Sequence, residues 1–304
     1  MKLIKFLICC SFVLIFSTNT IHAQMNILNT NKVENIGKKT VSQIKVDSLD
    51  TPLPYGYTSN DDVLWSKVVW EVIDLNQKIN HPYYYPTDKD TDLTDRLSLF
   101  NTLHTAVKSG KLEIYTTPYF KEKKDTITLK SVLYKKCSQK GQSPEEVLPS
   151  EITRFQIKGM WYFDKRQGEL KYRLLGIAPL VGFDAVQKCI NTKLENDFVK
   201  RNPNKNYVKP PIKNYTELYW IFYPEARQIL HDSKVFNPDN SMSPITFDHL
   251  LNSRRFSSVI VREENVYQNR SIEKYIPKNS IFQLLEAEKI KESIRNKEID
   301  MWNY

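Results

Sequence analysis

Glycine is scarce in this chain, with eight in 304 residues. Gly37, Gly56, Gly110, Gly141, Gly159, Gly168, Gly176 and Gly182 supply no Gly-x-Gly-x-x-Gly fingerprint, no glycine before a Lys-Ser or Lys-Thr pair, and no Gly-x-Ser-x-Gly elbow. Rossmann, P-loop and ordinary α/β-hydrolase readings therefore fail. Histidine is as sparse: beyond His22 there are only His81, His104, His231 and His249, with no His-x-x-x-His or His-Glu-x-x-His face. Of the four cysteines, Cys137 and Cys189 each stand alone, so neither a structural zinc site nor any other cofactor is expected.

Long apolar runs are absent after the first 16 residues. Lys2 and Lys5 precede the apolar stretch Leu3 to Phe16, and Ile21-His22-Ala23 offers a small residue before Gln24, the pattern of a cleaved secretory signal over residues 1–23. The run is shorter than the ~20 residues a bilayer span needs. Cys9 and Cys10 lie inside it, too early for lipidation. An exported chain permits a Cys137–Cys189 disulfide, and two free buried thiols are equally compatible with the sequence.

A mean hydropathy of −0.50 with 26% charged residues fits a globular domain. The formal net charge of +9 permits an anionic partner without naming one. The clearest basic excess, Lys200, Arg201, Lys205, Lys209 and Lys213, comes with three prolines, no acid and no regular aromatic spacing. It reads as a stiff solvated linker rather than a nucleic-acid interface.

Residues 24–58 are polar, end in Thr51-Pro52-Leu53-Pro54-Tyr55-Gly56-Tyr57 and show no period, so an extended N-terminal arm is expected there. Residues 59–304 are expected to form a single α+β domain. Asn60 to Pro82 reads as one amphipathic helix. At 100° per residue, Trp65 joins Leu64, Val68, Val69, Val72, Ile73, Leu75 and Ile79 on a core arc. Trp70 falls roughly 140° away, beside Lys67, Glu71, Asp74 and Lys78. Trp65 is thus expected in the core, and Trp70 either at a subunit edge or under a second layer of this same chain. Asp74 and the aromatic connector Tyr83, Tyr84 and Tyr85 join Trp70 as candidate interface residues.

A second helix is expected from Thr94 or Asp95 to Gly110. Glu113–Thr116 is a short strand candidate, Thr126–Cys137 fits helix or strand, and Ser143-Pro144-Glu145-Glu146 looks like a helix start. From Ile152 the period changes to two. Alternation to Asp164, a turn at Lys165 to Glu169 and a return along Leu170 to Leu180 predict a long antiparallel hairpin. Strand (Glu217–Tyr223), helix (Pro224–Leu230), helix (Thr246–Arg254), strand (Ser257–Arg262) and a terminal helix opened by a Ser280–Gln283 capping box follow. The class is α+β: a hairpin-based antiparallel sheet with several packed helices after an extended arm.

Ordered segments across residues 61–275 resemble the gliding motility family GldN/PorN. They are Asp62–Pro82, Ser98-Leu99-Phe100 with Lys108–Lys111, Trp161–Asp164 answered by Arg173–Pro179, Leu218–Arg227, and Phe247–Leu250 with Arg254–Ser258. Glu71 departs from the pattern, where the family leads one to expect a basic residue. The resemblance implies a non-enzymatic periplasmic part of the type IX secretion system. It would form a ring with a GldK/PorK-type outer-membrane lipoprotein and contact a GldM/PorM-type periplasmic protein. It supplies no catalytic residues, and it adds Arg254 and Arg255 to the candidate interface. The competing expectation is an exported hydrolase using carboxylates, or His231-Asp232 or Asp248-His249, in an aromatic-lined cleft.

Overall fold

The stretch VLWSKVVWEVID is a strand. Five of its twelve residues are valine or isoleucine, whose branched Cβ suits the pleated sheet better than a helix. The computed structural model describes residues 50–87, 96–124, 134–135, 145–182, 215–235 and 245–302. In it β1 spans Val63–Asp74, which corrects the helix expected over residues 60–82. A 3-10 turn and a single α-turn, α1 (His81–Tyr84), follow. The helix α2 (Leu99–Lys108) is capped by Ser98, whose hydroxyl accepts from the Asn101 amide. It closes with Gly110 at φ +72°, the left-handed conformation a helix end favours for glycine.

The pair β2 (Tyr134–Lys135) and β3 (Glu145–Glu146) form a small antiparallel ladder, so Glu145-Glu146 is strand, not a helix start. The expected hairpin is present as β4 (Ile152–Asp164) and β5 (Glu169–Gly182). Then come β6 (Tyr215–Glu217), β7 (Ile221–Phe222), α3 (Tyr223–Asp232), β8 (Lys234–Val235), β9 (Ile245–Thr246), α4 (Phe247–Asn252), β10 (Ser258–Glu263), α5 (Ile272–Tyr275) and α6 (Ser280–Trp302). The cap of α6 lies one residue before the expected Ser280: the Asn279 side chain accepts from the Phe282 amide. The strand expected at Glu113–Thr116 is reduced to isolated bridges from Tyr115 to Lys123 and Trp220. The signal sequence, residues 24–49, Ser143-Pro144, Cys137, Cys189 and the basic 200–213 stretch lie outside the described residues.

The main sheet runs β10-β1-β4-β5-β6, with β7 also on β5, and every pair is antiparallel. Strand alternation puts Trp65, Val69, Glu71 and Ile73 on one face of β1 and Val68 and Trp70 on the other. On the first face, Ile73, Phe155, Ile157 and Ile177 pack under α2, α3 and α4. Further along it, Val69 and Ile260 pack under Ala287, Ile290 and Ile294 of α6, with Trp65 partly buried beside them. The opposite face carries Trp70, Ala178, Tyr115 and Trp220, joined by Phe120.

Two strand glycines seat aromatic rings. A Cβ on Gly159 would stand 2.0 Å from the Tyr172 hydroxyl oxygen, and one on Gly176 would stand 2.4 Å from the Phe120 ring. Glycine is thus required here by close approach, since each ring fills the space its partner strand leaves. Gly159→Ala forces Tyr172 out of its rotamer and is expected to destabilise by about 1–3 kcal/mol, read as a lowered urea midpoint. An unchanged midpoint would mean that Tyr172 has room to move.

Candidate interaction surface

Most of the expected interface residues turn inward. Trp70 is 1% exposed, covered by Tyr115 and Trp220, with Lys158 and Arg262 stacked over its ring at 5.4 and 4.8 Å from the centroid. Of the two places expected for it, Trp70 takes the covered one and not the edge: on a strand, residue 70 points to a second covered face. Lys158 also donates to the Pro118 carbonyl at 2.9 Å, and burial pulls its pKa down. Tyr83 is buried on Phe247 and donates its hydroxyl to the Arg255 carbonyl. Asp74 is held by Arg154 at 3.1 Å and by the Asn76 amide. Tyr84 donates to the Ser150 carbonyl. Only Tyr85, set edge-on against His81, and Arg255 remain exposed among the seven.

Arg254 forms a two-pronged pair with Glu71 at 3.1 and 2.8 Å, and Ser258 donates to the same carboxylate. Its guanidinium lies 4.0 Å from the Tyr172 ring centroid and 5.0 Å from that of Trp161. Desolvation works against the Arg254 charge, but the Glu71 carboxylate outweighs it and holds the pKa above the ordinary arginine value.

Of the expected histidine pairs, Asp248-His249 does not come together. Asp248 is buried and bound by Arg227 Nε and a terminal nitrogen, each at 3.0 Å, by the Tyr223 hydroxyl and by Asn252, while His249 is exposed. Burial, with the Asp248 charge adding to it, pushes the Tyr223 hydroxyl far above the ordinary tyrosine range. Asp232 accepts from Gln228. Among the described residues no three histidine, cysteine or acidic side chains gather as metal ligands, and no helix is long and apolar enough to cross a membrane.

The end of the expected arm lies on this chain's own domain. Leu53, Gly56 and Tyr57 offer their carbonyls to Arg227, Arg173 and Arg166 at 2.6, 3.1 and 3.0 Å. The guanidiniums of Arg173 and Arg227 lie 4.7 and 4.2 Å from the Tyr55 ring centroid, and the Tyr55 hydroxyl donates to Asn252. Burial pushes that hydroxyl up to about 12.

Among the described residues, α6 carries a run of exposed large apolar side chains. Its buried stripe, Ala287, Ile290 and Ile294, follows one helical face and leaves Ile281 (69%), Phe282 (57%), Leu284 and Leu285 exposed. Beside it a groove of about 520 Å³ runs between Ile276, just after α5, and the Phe282 and Leu285 side chains. The segment IFQLL does signal this: at 100° per residue its four apolar side chains span an arc of about 160° centred on the side of α6 away from Ala287, Ile290 and Ile294. Contiguous apolar surface of this kind marks interaction sites. A family model described as Gliding motility associated protein GldN matches residues 58–303. No curated protein matches the chain.

Proposed function

We propose, because the chain belongs to the GldN family and is thereby a component of the gliding motility and type IX secretion machinery, that it is a non-enzymatic scaffold subunit held in the periplasm by export through residues 1–23. In this role it joins copies of itself in a ring with a GldK/PorK-type outer-membrane lipoprotein and contacts a GldM/PorM-type periplasmic protein. The observation that carries the reading is the open apolar face of α6, where Ile281, Phe282, Leu284 and Leu285 gain about 25 cal/mol per Å² on being covered by another chain. A ring needs two different patches per subunit, because head-to-tail contacts are heterologous. The α6 face is a further surface, open to a partner of different sequence.

The test is affinity purification of the tagged full chain from a detergent extract of the envelope. The lipoprotein is expected to co-purify in a large assembly, and Phe282→Asp with Leu285→Asp is expected to lower its recovery at least tenfold while leaving the thermal midpoint unchanged. A wild-type chain recovered as a monomer without the lipoprotein overturns the scaffold reading.

A further inference from the structure

The groove beside α6 changes character along its length. Phe282 and Leu285 with Ile276 form an apolar end; from the next residue on, over a little under two turns, the lining is Glu286, Glu288, Lys289 and Glu292. Positions 282, 285, 289 and 292 recur at helical spacing, so both ends belong to one face of α6. In a chain of formal net charge +9, this lining holds three glutamates against one lysine. The helix's own lysines neutralise them only loosely: exposed Lys289 stands 3.6 Å from the half-buried Glu286, and Lys291 stands 3.7 Å from Glu288 in a fully exposed pair, separations worth little in water. A guanidinium or ammonium from outside can replace them at little cost.

The Glu71 pair, the Asp248 network and the Tyr55 contacts are satisfied within the chain. The α6 groove is open, and it is apolar and acidic in sequence. We propose that it receives an amphipathic helical segment of a partner protein, whose apolar residues enter against Phe282 and Leu285 and whose lysines or arginines follow them to Glu288 and Glu292. A helix suits the site because a ridge with i, i+3, i+7 and i+10 positions packs against another helix with the same spacing. The inference rests on the scaffold reading, since it names the chemistry of a partner for that surface.

The experiment titrates the fluorescent full chain with two synthetic 18-residue amphipathic peptides that share one leucine face, one carrying lysine on the polar face and the other glutamate. The Leu/Lys peptide is expected to bind at least tenfold more tightly at low salt. Glu288→Lys with Glu292→Lys is expected to reverse that order, and Phe282→Asp to abolish binding of both. Equal affinities, no reversal, or binding that survives Phe282→Asp would overturn the proposal. So would a self-association, seen by sedimentation, that Phe282→Asp removes, because a second copy would then occupy the groove. In the envelope purification, loss of the lipoprotein on Phe282→Asp without loss on the double lysine substitution would keep the scaffold reading and discard the basic helix. Circular dichroism melting of each variant separates lost binding from lost fold.

Discussion

Trp70→Ala is expected to destabilise the domain by about 3–5 kcal/mol, the range for truncating a fully buried large aromatic. The indole packs with Trp220, Tyr115 and Ala178 and carries Lys158 and Arg262 over its ring, so its removal opens a cavity and takes a π partner from both cations, of which Lys158 keeps the Tyr119 and Phe120 rings. The indole nitrogen has no hydrogen-bond acceptor among the described residues, so Trp70→Phe should recover most of the loss. Trp65→Ala should cost less, roughly 1–2 kcal/mol, because Trp65 is only partly buried against the α6 cluster. Urea unfolding of the three variants checks the order. If Trp65→Ala proved the more damaging, the assignment of Trp70 to a covered second face would be wrong.

That order is the reverse of what a helical reading of β1 implies, and the reason is specific. The pairs Leu64/Trp65, Val68/Val69 and Val72/Ile73 recur every four residues, which draws a helical stripe; on a strand, each pair places one apolar side chain on each face. A strand covered on both faces loses the polar alternation that announces a strand. The hairpin β4–β5 was legible because Lys165 to Gly168 marks its turn and Lys158 interrupts its apolar residues. The helices α2, α3 and α4 were legible from their apolar spacing and α4 also from its Thr246 cap, whereas α2 is capped at Ser98 rather than Thr94 or Asp95 and α3 has no side-chain cap. The interaction surface was legible only in part. Exposed Tyr85 and Arg255 were within reach of the sequence, but the partners that bury Trp70, Tyr83 and Arg254, such as Trp220, Phe247 and Glu71, are distant along the chain, and local patterning does not encode them. The α6 face was written locally, in IFQLL.

The second large effect is expected at Arg254. The two helices α2 and α4 close with the same backbone arrangement: the Lys111 amide donates to the Ala106 carbonyl and that of Gly110 to Val107, as the Arg255 amide does to Leu250 and that of Arg254 to Leu251. In α2 the left-handed position is Gly110. In α4 it is Arg254, at φ +52°, where a non-glycine residue carries roughly 1 kcal/mol or more of strain. What the arginine gains is Glu71, a carboxylate that β1 holds between Val69 and Ile73, at the seam of the two apolar clusters on that face. Arg254→Met strands this charge and is expected to destabilise by about 3–5 kcal/mol. Arg254→Gly loses the same pair but relaxes the helix end, so its cost should be smaller by about 1 kcal/mol. Glu71→Leu combined with Arg254→Met removes both charges and should return to within about 1 kcal/mol of the original chain, or exceed it. A double-mutant cycle by urea unfolding reads these values directly. Additive single effects would show that water, not Arg254, relieves the Glu71 charge. A coupling of several kcal/mol would show that the departure at Glu71 is matched inside the fold by the arginine that ends α4.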